Sequence, residues 1–276
     1  MSTKSAGRVV AITGAARGIG FATAKELIER GARVAIGDVD EVALRDAERK
    51  LGGRAKAAPL DVTSAESFEH FIAFVEKELG PLDVLINNAG IMPVGPTIDE
   101  EEKTAKRILE INTLGVITGT KLALRSMLPR GRGHIINVSS TAGVSYHPGA
   151  ATYCASKYAV IGFTDAVRME LHGRGIEFTT ILPAFTNTDL IAGTKGLRGV
   201  ENVEPEDVAR EIANSVERPT RRVYVPRSLG AMLGALRLFP ASFAESVGRS
   251  MGTDRVFLDV DSKTRSAYDR RVKGLK

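Results

Sequence analysis

Seven short apolar runs punctuate the chain, at residues 9–12, 34–36, 57–60, 84–86, 135–138, 178–182 and 223–225. Most are rich in Val and Ile and have the length of strands buried on both faces. Between them, apolar residues return at roughly helical spacing over 19–30, 41–51, 65–79, 100–127, 153–172 and 205–215. Strands alternating with helices predict parallel strands joined by right-handed crossovers. The expected fold class is therefore α/β, a doubly wound parallel sheet in three layers.

Two stretches depart from the alternation. Residues 185–204 hold three glycines and no clear period, which predicts a mobile loop running into a helix start at Glu204, Pro205, Glu206 and Asp207. Residues 226–276 open with an apolar, helix-like segment at 229–239, far short of the length needed to span a bilayer. The length of 276 residues suits one large catalytic domain, expected over 1–225, followed by a basic, partly apolar helical extension over 226–276.

Composition narrows the function classes. Hydrophobic residues are 43% and charged residues 26% of the chain, a balance that supports a core and argues against disorder. The net charge of +5 is unevenly divided: from residue 221 onward 12 Lys and Arg face 5 Asp and Glu, against 26 and 28 before it. The basic excess is thus local to the tail, and no basic, aromatic-interleaved face outside it suggests a nucleic-acid partner. The single cysteine, Cys154, allows no intramolecular disulfide, and the polar N-terminus lacks a signal h-region, so a cytoplasmic location is expected.

Candidate chemistry begins between the first strand and the first helix, where residues 13–20 read T-G-A-A-R-G-I-G. Bare backbone N–H groups and the helix dipole favour a diphosphate there, and glycines let the backbone approach it closely. Asp38 ends the second strand, where a carboxylate can accept hydrogen bonds from adenosine ribose hydroxyls and repels a 2′-phosphate. Asp38 therefore points to NAD, whereas Arg17, beside the second glycine, pulls toward NADP; Asp38 carries more weight because it would face the ribose itself. Asp61 and Val62 follow the third strand and Asn87, Asn88, Ala89 and Gly90 the fourth, at the strand ends where such sheets bind ligands.

Tyr153 and Lys157 lie four residues apart and so project from one helical face. A free tyrosine titrates near pH ~10, and a nearby ammonium stabilises its phenolate. Such a tyrosine can serve as general acid in carbonyl reduction or as base in alcohol oxidation. Ser140 ends the fifth strand, 13 residues before Tyr153, where its hydroxyl can hold a substrate oxygen.

In their order, the T-G-x3-G-x-G turn, the N-N-A-G after the fourth strand, Ser140 and the Y-x3-K pair resemble the short-chain dehydrogenase/reductases, over residues 9–225. The resemblance implies a Rossmann-like, NAD(P)-dependent oxidoreductase with its substrate loop at about 185–204. It implies cofactor contacts from Gly14, Arg17, Gly18, Ile19 and Gly20, adenine contacts from Asp61 and Val62, and packing along Asn88, Ala89 and Gly90. It further implies that Lys157 lowers the Tyr153 pKa and binds the nicotinamide ribose, and that Asn112, within the long helix, holds a water connected to Lys157. After the sixth strand, Pro183 and Thr188 match the residues at the nicotinamide carboxamide; Ala184 stands where relatives usually carry glycine, which implies an altered loop geometry. Relatives pair through two long helices, here 100–127 and 153–172, so a homodimer or homotetramer is expected.

Other polar residues receive plainer assignments. His70, His134, His147 and His172 show no metal-ligand spacing, so no metal is expected, and His147 is placed at the substrate mouth. Cys154 points about 100° away from the Tyr153 face and reads as a packing residue. Asp165 and Glu170 read as helix-surface charges.

Together these residues describe an oxidoreductase moving a hydride between NAD(H) and an alcohol or ketone carbon. Val144, Tyr146, Leu190, Ile191 and Leu197 suggest a hydrophobic substrate of steroid, retinoid or lipid type. The alternative is a catalytically idle NAD(H)-binding regulator, which would need the glycine turn and Asp38 but not Asn112, Ser140, Tyr153 and Lys157 together. Three roles stay open for the tail: peripheral contact with an anionic membrane, a cap over the cleft, or a subunit interface.

Overall fold

The computed structural model describes residues 5–196, 201–236 and 238–274. Seven parallel strands form one sheet: β1 (Val9–Thr13), β2 (Arg33–Asp38), β3 (Ala55–Pro59), β4 (Val84–Asn87), β5 (Gly133–Val138), β6 (Ile176–Pro183) and β7 (Arg222–Val225). The helices between them are α1 (Gly18–Glu29), α2 (Glu41–Lys50), α3 (Ala65–Leu79), α4 (Glu102–Leu109), α5 (Gly115–Met127), α6 (Ala151–Glu170) and α7 (Pro205–Glu217). After β7 come α8 (Arg227–Leu236), α9 (Ala241–Met251) and α10 (Ser262–Gly274). All seven apolar runs of the sequence fall on these strands, except that Leu60 lies just past β3.

The strand order is β3-β2-β1-β4-β5-β6-β7. The chain therefore builds outward from β1, returns, and builds outward again from β4, so the C-terminal ends of β1 and β4 flank the crevice where strand order reverses. Alternate residues of β1 serve opposite faces, which explains a continuous apolar run in place of an alternating one. Val10 and Ile12 pack with Leu27 of α1 and Ile212 of α7, whereas Val9 and Ala11 pack with Phe68 and Phe71 of α3 and Ile108 of α4. Phe68 and Phe71 are essentially fully buried, each contributing roughly 1.5–3 kcal/mol of apolar transfer.

Local chemistry starts the helices where the sequence pattern places them. The Asp40 carboxylate accepts from the Ala43 N–H at 3.0 Å and caps α2, and the Ser64 hydroxyl accepts from the Ser67 N–H at 3.2 Å and caps α3. The expected helix over 100–127 differs from the structure: α4 begins at Glu102, and a π-helical turn, Glu110–Leu114, separates it from α5. Such a turn inserts a residue into the helical ladder and re-aims what it carries. Here it carries Asn112, which is fully buried. The loop over 185–204 holds a short helical turn, Asp189–Ile191, and a bridge from Thr186 to Val203; Leu197 lies outside the described residues.

Candidate active site

The strand ends open onto a cleft of about 730 Å³. Its floor begins at the β1–α1 turn, where Gly14 and Gly18 adopt φ of +63° and +55°, a region open to glycine without strain. A Cβ on Gly14 would stand 2.7 Å from Cα of Ala89, and one on Gly20 would stand 2.5 Å from the Gly14 carbonyl oxygen. The turn and the residues after β4 are thus in direct backbone contact. The Thr13 hydroxyl accepts from the N–H groups of Asn88 and Ala89, both at 3.0 Å, and the Asn88 amide donates to the carbonyls of Thr13 and Gly14, both at 2.9 Å.

Gly18 and Ile19, on the first turn of α1, line this cleft, and no side chain caps that N-terminus among the described residues. The helix therefore presents N–H donors and the positive end of its dipole to the cleft, a donor set suited to a diphosphate. Asp38 sits at the edge, its carboxylate accepting from the N–H groups of Ala16 at 3.0 Å and Asp40 at 3.1 Å. Arg17 lines the same cleft and forms an ion pair with Asp40 at 2.6 Å. The Ala43 N–H and the Arg17 guanidinium together hold the Asp40 carboxyl below the usual range, against the opposing effect of burial.

Asp61 and Val62 line the same cleft. The Asp61 carboxylate accepts from the N–H and hydroxyl of Thr63 at 2.9 and 2.7 Å, and Val62 packs against Gly115 at the start of α5. Across from them, Thr188 places its methyl where a Cβ on Gly18 would come within 3.4 Å. Pro183 ends β6, and Ala184 donates its N–H to the Val225 carbonyl at 2.9 Å. No described non-glycine residue has a positive φ, so alanine at 184 is accommodated without backbone strain.

The four candidate catalytic residues converge at the inner end. Asn112 accepts from the Ile91 N–H at 2.9 Å and donates to the Ile91 carbonyl at 2.9 Å and to Ser156 at 3.0 Å. A Cβ on Gly90 would lie 3.3 Å from the Asn112 amide oxygen and 3.5 Å from the Lys157 nitrogen, so bare backbone separates those two groups. Lys157 donates to the Val138 carbonyl at 3.0 Å, with its nitrogen 5.7 Å from the Tyr153 ring centre. Beneath them, Asn87 donates to Asn137 at 2.9 Å and Asn137 to Thr164 at 2.8 Å, a buried chain tying β4 and β5 to the helix that carries Tyr153.

Electrostatics divides these roles differently from the simple expectation. Burial drives the Tyr153 phenol above the ordinary tyrosine range, and a hydrogen bond with Ser140 opposes this. Burial also pushes the Lys157 ammonium down to about 8. Desolvation thus favours the neutral form of both groups, and the Ser140 hydrogen bond is the contact that favours the phenolate. The Ser140 hydroxyl, which lines the cleft, also accepts from the Ala142 N–H at 3.1 Å.

The apolar rim comes largely from residues that spacing alone did not single out. Phe185 stacks on Phe257, just past α9, with ring centres 5.4 Å apart, and His147 meets both edge-on. Burial lowers His147 to about 4. Val256 and Phe257 join Tyr153 and Cys154 in one buried cluster, which agrees with a packing role for that cysteine. Arg265 and Tyr268 of α10 are likewise buried, and Tyr268 accepts from the Met92 N–H at 2.7 Å. The sequence signal for α10 was the spacing of Arg265, Tyr268 and Val272, which is three and then four residues and marks one helical face.

Comparison with known proteins agrees with this fold. A family model described as short chain dehydrogenase matches residues 8–196. The chain is 35% identical over 257 residues to the cis-4-hydroxycyclohexanecarboxylate dehydrogenase of Sinomonas cyclohexanicum, covering 92% of this chain and 98% of that one. It is 33% identical over 255 residues to the probable oxidoreductase EphD of Mycobacterium tuberculosis, covering 84% of this chain but only 43% of that longer relative. In three dimensions it superposes on a short chain dehydrogenase/reductase from Burkholderia phymatum, solved in complex with NAD, with a TM-score of 0.77, 22% identity and coverage of 83% of this chain and 92% of that chain. The protein is a member of the short chain dehydrogenase family.

Proposed function

We propose that this protein interconverts a hydrophobic alcohol and its ketone with NAD(H), through Asn112, Ser140, Tyr153 and Lys157. The observation that carries the reading is a buried Tyr153, hydrogen-bonded to Ser140 and with the Lys157 nitrogen 5.7 Å from its ring centre, in the same cleft as the β1–α1 turn. The bound dinucleotide supplies or accepts the hydride. Gly14, Gly18, Ile19 and Gly20 would hold its diphosphate, Asp38 its adenosine ribose, Asp61 and Val62 its adenine, and Asn88, Ala89, Gly90, Pro183, Thr188 and Lys157 its nicotinamide half. Tyr153 gives its proton to the carbonyl oxygen in reduction and takes it back from the hydroxyl in oxidation. Ser140 orients that oxygen, Lys157 stabilises the phenolate left behind, and Asn112 keeps the Gly90 backbone and Lys157 in register.

NAD is favoured because Arg17 is engaged by Asp40, leaving Asp38 to face the ribose. A hydrophobic substrate is favoured by a second cavity of about 370 Å³, lined by Leu229, Met232, Leu236 and Met251, which shares His147 and Phe185 with the first. The name of the Sinomonas relative, cis-4-hydroxycyclohexanecarboxylate dehydrogenase, fits the alcohol–ketone chemistry, on a ring that also carries a carboxylate. The catalytic unit extends over 1–225, with 226–276 as an appended cover; exposed Leu109, Leu114 and Met169 on the helices flanking the site mark the face for a homodimer or homotetramer. No described helix is long and apolar enough to cross a membrane. Exposed Leu238, Phe239 and Phe243 favour peripheral membrane contact of a cytoplasmic protein as a second property of the tail, and flotation with anionic liposomes tests it.

A panel of hydrophobic alcohols and ketones with NADH and NADPH, followed at the nicotinamide absorbance, tests the reaction. NADH is expected to give the higher kcat/KM, and Tyr153→Phe to lower kcat about a thousandfold with NADH affinity retained. Near wild-type turnover in that variant would remove the proton-transfer role, and a clear preference for NADPH would remove the coenzyme assignment.

A further inference from the structure

The last helix crosses the cleft and is pinned to both banks. Arg265, only 3% exposed, donates to the carbonyls of Leu190 at 3.0 Å and Ala192 at 3.1 Å on the loop after β6, and to the Met92 carbonyl on the segment after β4. Tyr268 takes the Met92 N–H, and the Asp261 N–H meets the Gly193 carbonyl at 2.9 Å. Nearer its C-terminus, α10 lines the same cleft through Arg271, Val272 and Gly274. Val272 packs against the apolar cluster that contains Val62 and Ile111, and Arg271 lines the cleft together with Gly14, Gly18 and Thr188.

Arg271 is held as a fixed charge. Its guanidinium pairs with Asp189 at 2.9 Å, next to Thr188, and lies 5.4 Å from the Tyr268 ring centre. Its field also reaches Asp40, on the adenosine side. Arg271 therefore lines the cleft beside Asp189 and Thr188, and the Thr188 methyl in turn lies 3.4 Å from where a Cβ on Gly18 would stand, on the first turn of α1. A planar guanidinium has donors enough to keep one carboxylate and still engage a second anion bidentately.

We propose that α10 is a clamp over the dinucleotide and that Arg271 is a cofactor-binding residue that closes on its diphosphate from the side opposite the β1–α1 turn. The proposal rests on the dinucleotide reading of the cleft. It gives the tail's positive charge a task inside the molecule: Arg265 anchors the helix and Arg271 supplies the charge that a helix N-terminus alone leaves half-answered.

The test measures binding to the full-length protein. NADH, NADPH, ADP-ribose and adenosine are titrated against the wild type, Arg271→Gln and Arg271→Lys, with thermal unfolding of each ligand-free protein alongside. Arg271→Gln is expected to weaken NADH and ADP-ribose about tenfold, to leave adenosine unchanged and to leave Tm near wild type, with Arg271→Lys recovering part of the loss. Hydrogen exchange of the wild type provides a readout independent of any variant: NADH is expected to slow exchange across residues 262–274. Undiminished ADP-ribose binding by Arg271→Gln, a loss confined to NADPH, or faster exchange of α10 with NADH would each overturn the clamp. A wild type that binds neither NADH nor ADP-ribose would overturn the dinucleotide reading itself, and the clamp with it.

Discussion

The two banks of the cleft are built from different materials. On the β1–α1 side the contacts are backbone to backbone: Gly14 against Ala89, Gly20 against the Gly14 carbonyl, and the Thr13 and Asn88 side chains serving only to bind main-chain groups. On the tail side the contacts are side chains reaching across long stretches of sequence, Phe257 to Phe185 and Arg265 to Met92, Leu190 and Ala192. The first bank admits almost no side-chain variation, because the space a Cβ would need is already filled. The second can change composition as long as the aromatic stack and the buried guanidinium find partners. Under the proposed function, the first bank would hold the cofactor and the second the substrate.

The largest effect is expected from the rigid bank. Gly14→Ala places a Cβ 2.7 Å from the Ala89 backbone at a φ of +63°. The left-handed conformation and the overlap together should cost about 4 kcal/mol of stability, read by denaturant unfolding. NADH affinity should fall at least tenfold in parallel, because relief comes only by parting the turn from the residues after β4. If Gly14→Ala were as stable as wild type and bound NADH normally, the bank would be compliant and the contrast between the two sides would fail.

The tail bank answers to pH instead. His147 sits edge-on to Phe185 and Phe257, and its burial there holds its pKa at about 4 against an ordinary 6.5. Between those values the unfolded chain takes up a proton that the folded chain refuses, so stability falls as pH falls from 6.5 toward 4. The loss attributable to His147 approaches about 3 kcal/mol at the acid end. His134, which burial lowers to about 3, adds a loss of the same sign within the sheet. Replacing His147 with Gln should flatten the fall of Tm between pH 6.5 and 4 relative to wild type while leaving the His134 share. An unchanged slope would mean that Phe257 and Phe185 do not shield this histidine.

The contrast also explains what could be read from the sequence. The β1–α1 turn, Asp38, Asn88 and the Tyr153–Lys157 pair were legible because each depends on near neighbours or on one strand end, so spacing carries the information. The π-helical turn at Asn112 was not, since the residues of 100–127 carry helical periodicity throughout and only the contacts to Ile91 and Ser156 reward the extra residue. For the tail, composition left three roles open. What decides where it lies is Arg265, buried and bonded to main-chain carbonyls far away in sequence, which no local pattern encodes. The upward push of burial on Tyr153 was hidden for a related reason: a Y-x3-K spacing reports that an ammonium is near, not how deeply both groups are desolvated.

The smallest effect is expected at Arg17, and it separates two explanations of coenzyme choice. A basic residue at this position could read a 2′-phosphate, and Arg17→Ala would then depress NADPH use strongly and NADH use little. In the structure its guanidinium is committed to Asp40 at 2.6 Å, with side-chain exposures of 35% and 30% for the pair. A partly exposed ion pair of this kind is worth at most about 1 kcal/mol. Arg17→Ala should therefore lower stability by less than that and shift the ratio of kcat/KM for NADH over NADPH by less than about fivefold. Asp38, by contrast, is held by two N–H groups on the rigid bank, so Asp38→Ala should narrow the ratio more than Arg17→Ala does. The reverse ranking would move coenzyme selection from the fixed carboxylate to the arginine on the surface turn.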